Sequence, residues 1–121
     1  MASHEVKNVS KDSEVRKFDN AKIELVTIAG GTVGRFEMQK GWKWSTNLKP
    51  IVKTEWCEAP HLQYVMTGRL HVKMKDGTEF EIGPGDVASV PPGHDAWVVE
   101  GPLTGIEFVG ARIAADGPKK A

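Results

Sequence analysis

Residues 69–82 constrain the fold more than any other part of the chain. Arg69-Leu70-His71-Val72-Lys73-Met74-Lys75 alternates polar and apolar side chains, Asp76-Gly77 follows, and Thr78-Glu79-Phe80-Glu81-Ile82 alternates again. A period of two places Leu70, Val72 and Met74 on one face and Arg69, His71, Lys73 and Lys75 on the other. On the return segment Phe80 and Ile82 extend the apolar face, while Glu79 and Glu81 can answer the lysines. Asp-Gly supplies the positive φ angles of a two-residue type I′ turn, so the spacing predicts a β-hairpin.

The same pattern runs through most of the chain. Lys22 to Ala29 is rich in Ile, Leu and Val and stops at Gly30-Gly31; Val33 to Gln39 stops at Lys40-Gly41. After Gly83-Pro84-Gly85, further strands are predicted at Asp86 to Val90, Ala96 to Glu100 and Ile106 to Ile113. Helical spacing is hard to find, and 13 glycines and 7 prolines, many in short clusters, punctuate the strands. Short strands at close intervals predict an all-β sandwich or barrel over residues 21–113. Residues 1–20 are polar apart from Phe18 and are expected to form an N-terminal arm or a loosely held first strand. Residues 114–121 have nothing to bury and read as a flexible tail.

A chain of 121 residues can enclose one core but not two. Its 16 basic and 16 acidic residues cancel, which gives no electrostatic reason to expect nucleic acid or an anionic membrane as partner. Cys57 is the single cysteine; it cannot form an internal disulfide and fits a reducing cytoplasm. No apolar run approaches the roughly 18 residues of a membrane span, and the N-terminus lacks the apolar core of a signal peptide. A soluble, cytoplasmic protein is expected.

Gly85-Asp86-Val87-Ala88-Ser89-Val90-Pro91-Pro92-Gly93 matches a glycine, five residues and Pro-x-Gly. This resembles the second signature motif of the cupin superfamily, whose fold is a double-stranded β-helix, or jelly-roll barrel, around one metal ion. In that motif a histidine follows two residues after the glycine; here the place is filled by Ala96, with His94 two positions earlier. Gly68 looks like the closing glycine of the first cupin motif. Counting back from it, the family's glutamate falls on His61 and its two histidines on Glu55 and Cys57. The resemblance covers roughly residues 40–110. The strings Gly41 to Ser45, Cys57 to His61 and Pro91 to Trp97 are similar to those of a subgroup of small single-domain bacterial cupins. For that subgroup the resemblance implies fold and a metal, and names no substrate.

All four of the family's ligand places are therefore altered, yet Glu55, Cys57 and His61 can each still bind a metal. Regular alternation would aim these three at one face, although Pro60 interrupts the pairing. His94 shares parity with Ala96, so an offset of one pleat returns an imidazole to the missing place. The candidate site is Cys57, His61 and His94, with Glu55 or Gln63 as a fourth contact. A thiolate and two imidazoles suit Zn, Fe or Cu, with Mn and Ni also open, better than Ca²⁺ or Mg²⁺. Against this stand two plain readings: Cys57 as a small buried apolar residue, and His94 as a turn histidine bonded to Asp95 or to the backbone.

His71 shares its face with Arg69, Lys73 and Lys75 and is assigned to solvent; His4 lies in the arm. Trp42 and Trp44 read as one face of a strand, at a barrel mouth or subunit contact, with core packing the plainer reading for at least two of the four tryptophans. Arg35 could hold a substrate carboxylate if it faced inward, but surface placement is expected. Gly30-Gly31-Thr32-Val33-Gly34 is a turn, since it lacks the spacing of a phosphate loop. Ser45 and Ser89 lack the glycines of a nucleophile elbow.

The expected function is a metal-dependent cupin acting on a small organic molecule. A metal-free ligand-binding or regulatory barrel is the alternative, favoured by Ala96. A homodimer is expected, paired through residues 18–29 as an edge.

Overall fold

The computed structural model describes residues 4–108. Its elements are β1 (Glu14–Phe18), β2 (Ala21–Ile28), β3 (Gly31–Met38), α1 (Trp44–Asn47), α2 (Lys49–Val52), β4 (His61–Met74), β5 (Glu79–Ile82), β6 (Val87–Val90) and β7 (His94–Glu107). All strand pairs are antiparallel, in the order β1-β2-β3-β7-β4-β5, with β6 also on β4. Among the described residues no helix is long and apolar enough to cross a membrane.

The strands fold over on themselves because the two long ones bend. β4 and β7 each run for 14 residues and pair along their length. Fourteen residues of straight strand would span about 40 Å. Yet Met74, at the end of β4, is the register partner of His94, whose ring lies only 5.1 Å from that of His61 at the start of β4. The two ends of one strand therefore face each other across the interior. The bend falls where the β4–β7 register shifts, between Val65 and Leu70. Gly68 sits there with φ 82°, and a Cβ on it would lie 2.6 Å from the Pro102 carbonyl and 2.7 Å from that of Glu100. On either side of the bend, β6 pairs with His61–Tyr64 and β5 with Leu70–Lys73, one on each half of β4.

The predicted alternation is present. Leu70, Val72 and Ile82 are buried with Val65, Val98 and Leu103 in the core, and Phe80 and Met74 pack against it. The predicted hairpin forms too, but its turn differs. Only Gly77 has positive φ, Gly77 N–H donates to the Met74 carbonyl, and the loop spans 75–77. This is a type I turn closed by a glycine bulge rather than type I′. Asp76 keeps negative φ while its carboxylate accepts the Thr78 N–H at 2.9 Å, which selects this geometry.

Three further expectations are revised. Ala96 to Glu100 and the start of Ile106 to Ile113 belong to one strand, β7; residues 109–113, like the tail 114–121, lie outside the described residues. Trp44 opens a helix instead of continuing a strand, because 44–52 forms two single helical turns, the second with Pro50 at its start. The segment 18–29 cannot serve as a free edge. β2 lies within it, and its backbone groups are taken by β1 on one side and β3 on the other. Part of the segment read as an arm, Glu14–Phe18, is that outer strand.

Candidate metal centre

The interior side chains line a cavity of about 650 Å³ that opens to solvent. Phe36 and Met38 face it from β3, Leu70 and Val72 from β4, and Trp42 and Trp44 from the segment before and within α1. Both tryptophans are buried, so their shared inward placement survives the loss of the strand. The position of α1 is set by β7: the Val98 N–H donates to the Trp42 carbonyl, and Asp95 Oδ1 accepts the Ser45 N–H at 3.1 Å.

At one end of the cavity Cys57, His61 and His94 meet, with one donor atom from each lying within 4.8 Å of the others. Three separate devices bring them together. Cys57 is clipped to the start of β7 by an isolated bridge, its N–H donating to the His94 carbonyl at 2.8 Å and its carbonyl accepting the Gly93 N–H at 2.8 Å. His94 opens β7 directly after the turn at Gly93, which has φ 90°. His61 opens β4, and the bend at Gly68 carries it over the others.

Each imidazole is fixed through Nδ1. His94 Nδ1–H donates to the Pro91 carbonyl at 2.8 Å, and His61 Nδ1–H donates to Glu107 Oε2 at 2.6 Å. In both rings Nε2 is thereby left for the centre, and His61 Nε2 is 3.9 Å from Cys57 Sγ. Burial works against an ionised Cys57, but hydrogen bonds from His61 and His94 outweigh it and bring the thiol down to about 6. Burial also works against a charged His61; its bonds to Cys57 and Glu107 outweigh that and raise the imidazole to about 9. Both shifts run in the direction that favours a thiolate and an imidazolium over a neutral pair.

The fourth-contact candidates separate. Glu55 is exposed and does not join the group. The alternation that placed it beside Cys57 fails because 53–60 is not a strand: Lys53 has φ 61° and Cys57 touches the sheet by one bridge only. Gln63 is buried in the cavity wall, where its Nε2 donates to Glu107 Oε1 at 2.9 Å and its Oε1 has no partner among the described residues. Of the two plain readings, His94 does bond the backbone, at Pro91 rather than Asp95, and that bond is what frees its other nitrogen.

Glu107 is the residue that sequence reasoning missed. It is the register partner of Gln63 across β4 and β7, and its two oxygens hold His61 and Gln63 together. The signal was a carboxylate in the apolar run Gly105-Ile106-Glu107-Phe108, on the same parity as the buried Leu103. His71 and Arg35 lie away from the cavity. His71 stacks on Trp97 and bonds Glu79 and Glu81, and Arg35 pairs with Glu24 at 2.9 Å.

Antiparallel layers folded over a cavity open to solvent, with donors gathered at one end, define a cupin barrel. The chain belongs to the EutQ-like cupin domain family, whose model matches residues 21–109. Among solved structures, it is similar to an RmlC-like cupin from Shewanella frigidimarina, with 18% identity, TM-score 0.61 and coverage of 93% of this chain and 96% of that one. KdgF from Halomonas is similar at 17% identity and TM-score 0.62, covering 90% and 94%. The polyketide cyclase RemF from Streptomyces resistomycificus is similar at 15% identity and TM-score 0.60, covering 89% and 79%. At these identities the likeness establishes the fold. A search of curated proteins found no match.

Proposed function

We propose that this cupin holds one transition metal ion through Cys57, His61 and His94 and acts with it on a small organic molecule in the cavity. The observation that carries this reading is the convergence of three soft donors within 4.8 Å, with Nδ1 of both histidines already engaged. A ligating histidine characteristically donates its second nitrogen to a carboxylate or carbonyl, which sets tautomer and ring orientation. Glu107 and the Pro91 carbonyl supply those acceptors. A thiolate and two imidazoles fit Zn²⁺, Fe²⁺ or Cu, and exclude the oxygen-seeking Ca²⁺ and Mg²⁺ on donor chemistry.

Bound there, a metal would supply Lewis acidity and an open coordination position beside the cavity. The chain's own part is clearer. As ligands Cys57 must be a thiolate and His61 must present an unprotonated Nε2, so metal uptake releases the proton the pair shares. Glu107 keeps His61 turned, and the apolar wall of Phe36, Trp42 and Trp44 restricts water around the centre.

Ala96 supports a second reading, a metal-free ligand-binding barrel. It lines the cavity at the place where the family motif has a histidine, and a methyl group there binds no metal. Metal content separates the two readings. Cys57→Ser and His94→Ala are each expected to weaken metal retention, and His71→Ala is not. Equal retention in all three overturns the ligand set. We further place the protein in the cytoplasm, where a free buried thiol persists. A homodimer formed by edge pairing would use a strand at an end of the sheet order, such as β1.

A further inference from the structure

The polar side chains that line the cavity are gathered at one end of it. Apart from the two indoles, the described lining residues with polar or ionisable side chains are Cys57, His61, Gln63, His94 and Glu107. These form one connected group. Cys57, His61 and His94 offer donor atoms within 4.8 Å of one another, and Glu107 bonds both His61 and Gln63. The His61 side chain is 25% exposed, so the group is within reach of a molecule in the cavity. Glu107 has both oxygens engaged. A polar head therefore has its place on the Nε2 side of His61, with Cys57 and His94.

The rest of the wall is apolar. Ile23 and Leu25 face the cavity from β2, Met38 from β3, Leu48 and Val52 from the helical turns, and Phe108 from just past β7. All six keep part of their surface exposed, unlike the fully buried lining residues. Leu25, Val52 and Phe108 also lie outside both the buried core and the side chains packed against it. Core packing therefore does not explain why they face the cavity. A contiguous apolar surface that opens to solvent is a mark of ligand grooves. Hydroxyl groups laid on such a wall give up water without gaining a partner.

A divalent ion held by one thiolate and two neutral imidazoles keeps one positive charge and an open position, which suits a single oxygen anion. We infer that the cavity takes a monocarboxylate with an apolar body, its carboxylate at the Cys57–His61–His94 end and its hydrocarbon against Leu25, Met38 and Val52. The inference rests on the metal reading above and names the substrate class of that same site. A volume of about 650 Å³ lies within the range of pockets that enclose small molecules.

The test measures binding by calorimetry on the full chain, Zn²⁺-loaded and metal-stripped, with Zn²⁺ content determined on the same samples. The probes are butanoate, hexanoate and octanoate. Octan-1-ol alters the head, and glucuronate keeps the carboxylate on a hydroxylated body. On loaded protein each added pair of methylenes should tighten binding about tenfold. Octanoate should bind about tenfold more tightly than octan-1-ol or glucuronate. Stripping should abolish the advantage over octan-1-ol and leave octan-1-ol binding unchanged. Leu25→Asn and Val52→Asn alter the wall outside the packed core; each should weaken octanoate and leave Zn²⁺ retention unchanged. The probe series on the unaltered protein needs no variant, so loss of folding in either does not obscure it. Affinity independent of chain length, preference for octan-1-ol or glucuronate, or an octanoate advantage that survives stripping overturns the inference. Unchanged octanoate binding in both wall variants does so as well. A protein that retains Zn²⁺ but shows no preference for octanoate refutes this inference and leaves the metal reading standing. A protein that retains no Zn²⁺ refutes the metal reading and the acid head with it, so metal content tells the two failures apart.

Discussion

Gly68→Ala tests the bend on which the site depends. Gly68 has φ 82°, and placing an L side chain in this left-handed region costs about 1–2 kcal/mol. The added Cβ would also stand 2.6 Å from the Pro102 carbonyl oxygen, 2.7 Å from the Glu100 carbonyl oxygen and 2.7 Å from Leu103 Cα. All three are backbone atoms of β7 and cannot rotate aside, so overpacking adds about 1–3 kcal/mol. The sum is about 2–5 kcal/mol, centred near 3.5, a large share of the stability of a domain this size. Gly77→Ala is the control. Gly77 has φ 95°, and a Cβ on it would meet nothing within 4 Å, so it should lose only the conformational part, about 1–2 kcal/mol. In urea, with a slope of about 2 kcal/mol/M, the Gly68 midpoint should fall by about 2 M and the Gly77 midpoint by less than half as much. Because the bend carries His61 to His94, metal retention should also fall in Gly68→Ala and not in Gly77→Ala. Equal midpoints for the two variants would refute the argument that β4 folds tightly against β7 at this residue.

Three further outcomes are expected. In metal-stripped protein the Cys57 thiolate, followed by its ultraviolet absorbance, should appear with a midpoint near 6; in His61→Gln the midpoint should rise, and no change would remove His61 as the partner. Glu107→Leu leaves His61 Nδ1–H and the Gln63 amide without their acceptor, and metal affinity should fall by about 10–100-fold, read by competition with a chelator. On the outer face, hydrogen bonds to Glu81 and Glu79 raise the His71 pKa above 6.5. Its folded value exceeds its unfolded one, so its stabilisation is complete below about 6.5 and is lost as pH rises through the folded value; an NMR titration should show that value falling in Glu81→Gln, and an unshifted His71 would contradict the contact.

Where local rules governed, the residues could be read directly. Leu70, Val72 and Ile82 point inward because alternation in a strand needs only the neighbouring residues. The same rule failed at Glu55, which precedes Cys57 by two but lies in a segment with no strand to enforce the period. It failed at Trp44 as well, since two helical turns of four residues are too short to show a period. Glu107 was legible in part, as a charge on an inward parity. Its partners were not, for His61 lies 46 residues away.

The order of residues along the chain determined the all-β character of this cupin, the faces of its strands and the donors available to a metal. Those properties depend on side-chain type and on a period of two, both of which are local. The tertiary structure alone decided that Cys57, His61 and His94 meet and that Glu107 holds one of them. Distance between remote residues is set by where strands bend and how they are paired, and one tight corner at Gly68 converts a strand some 40 Å long into two facing walls.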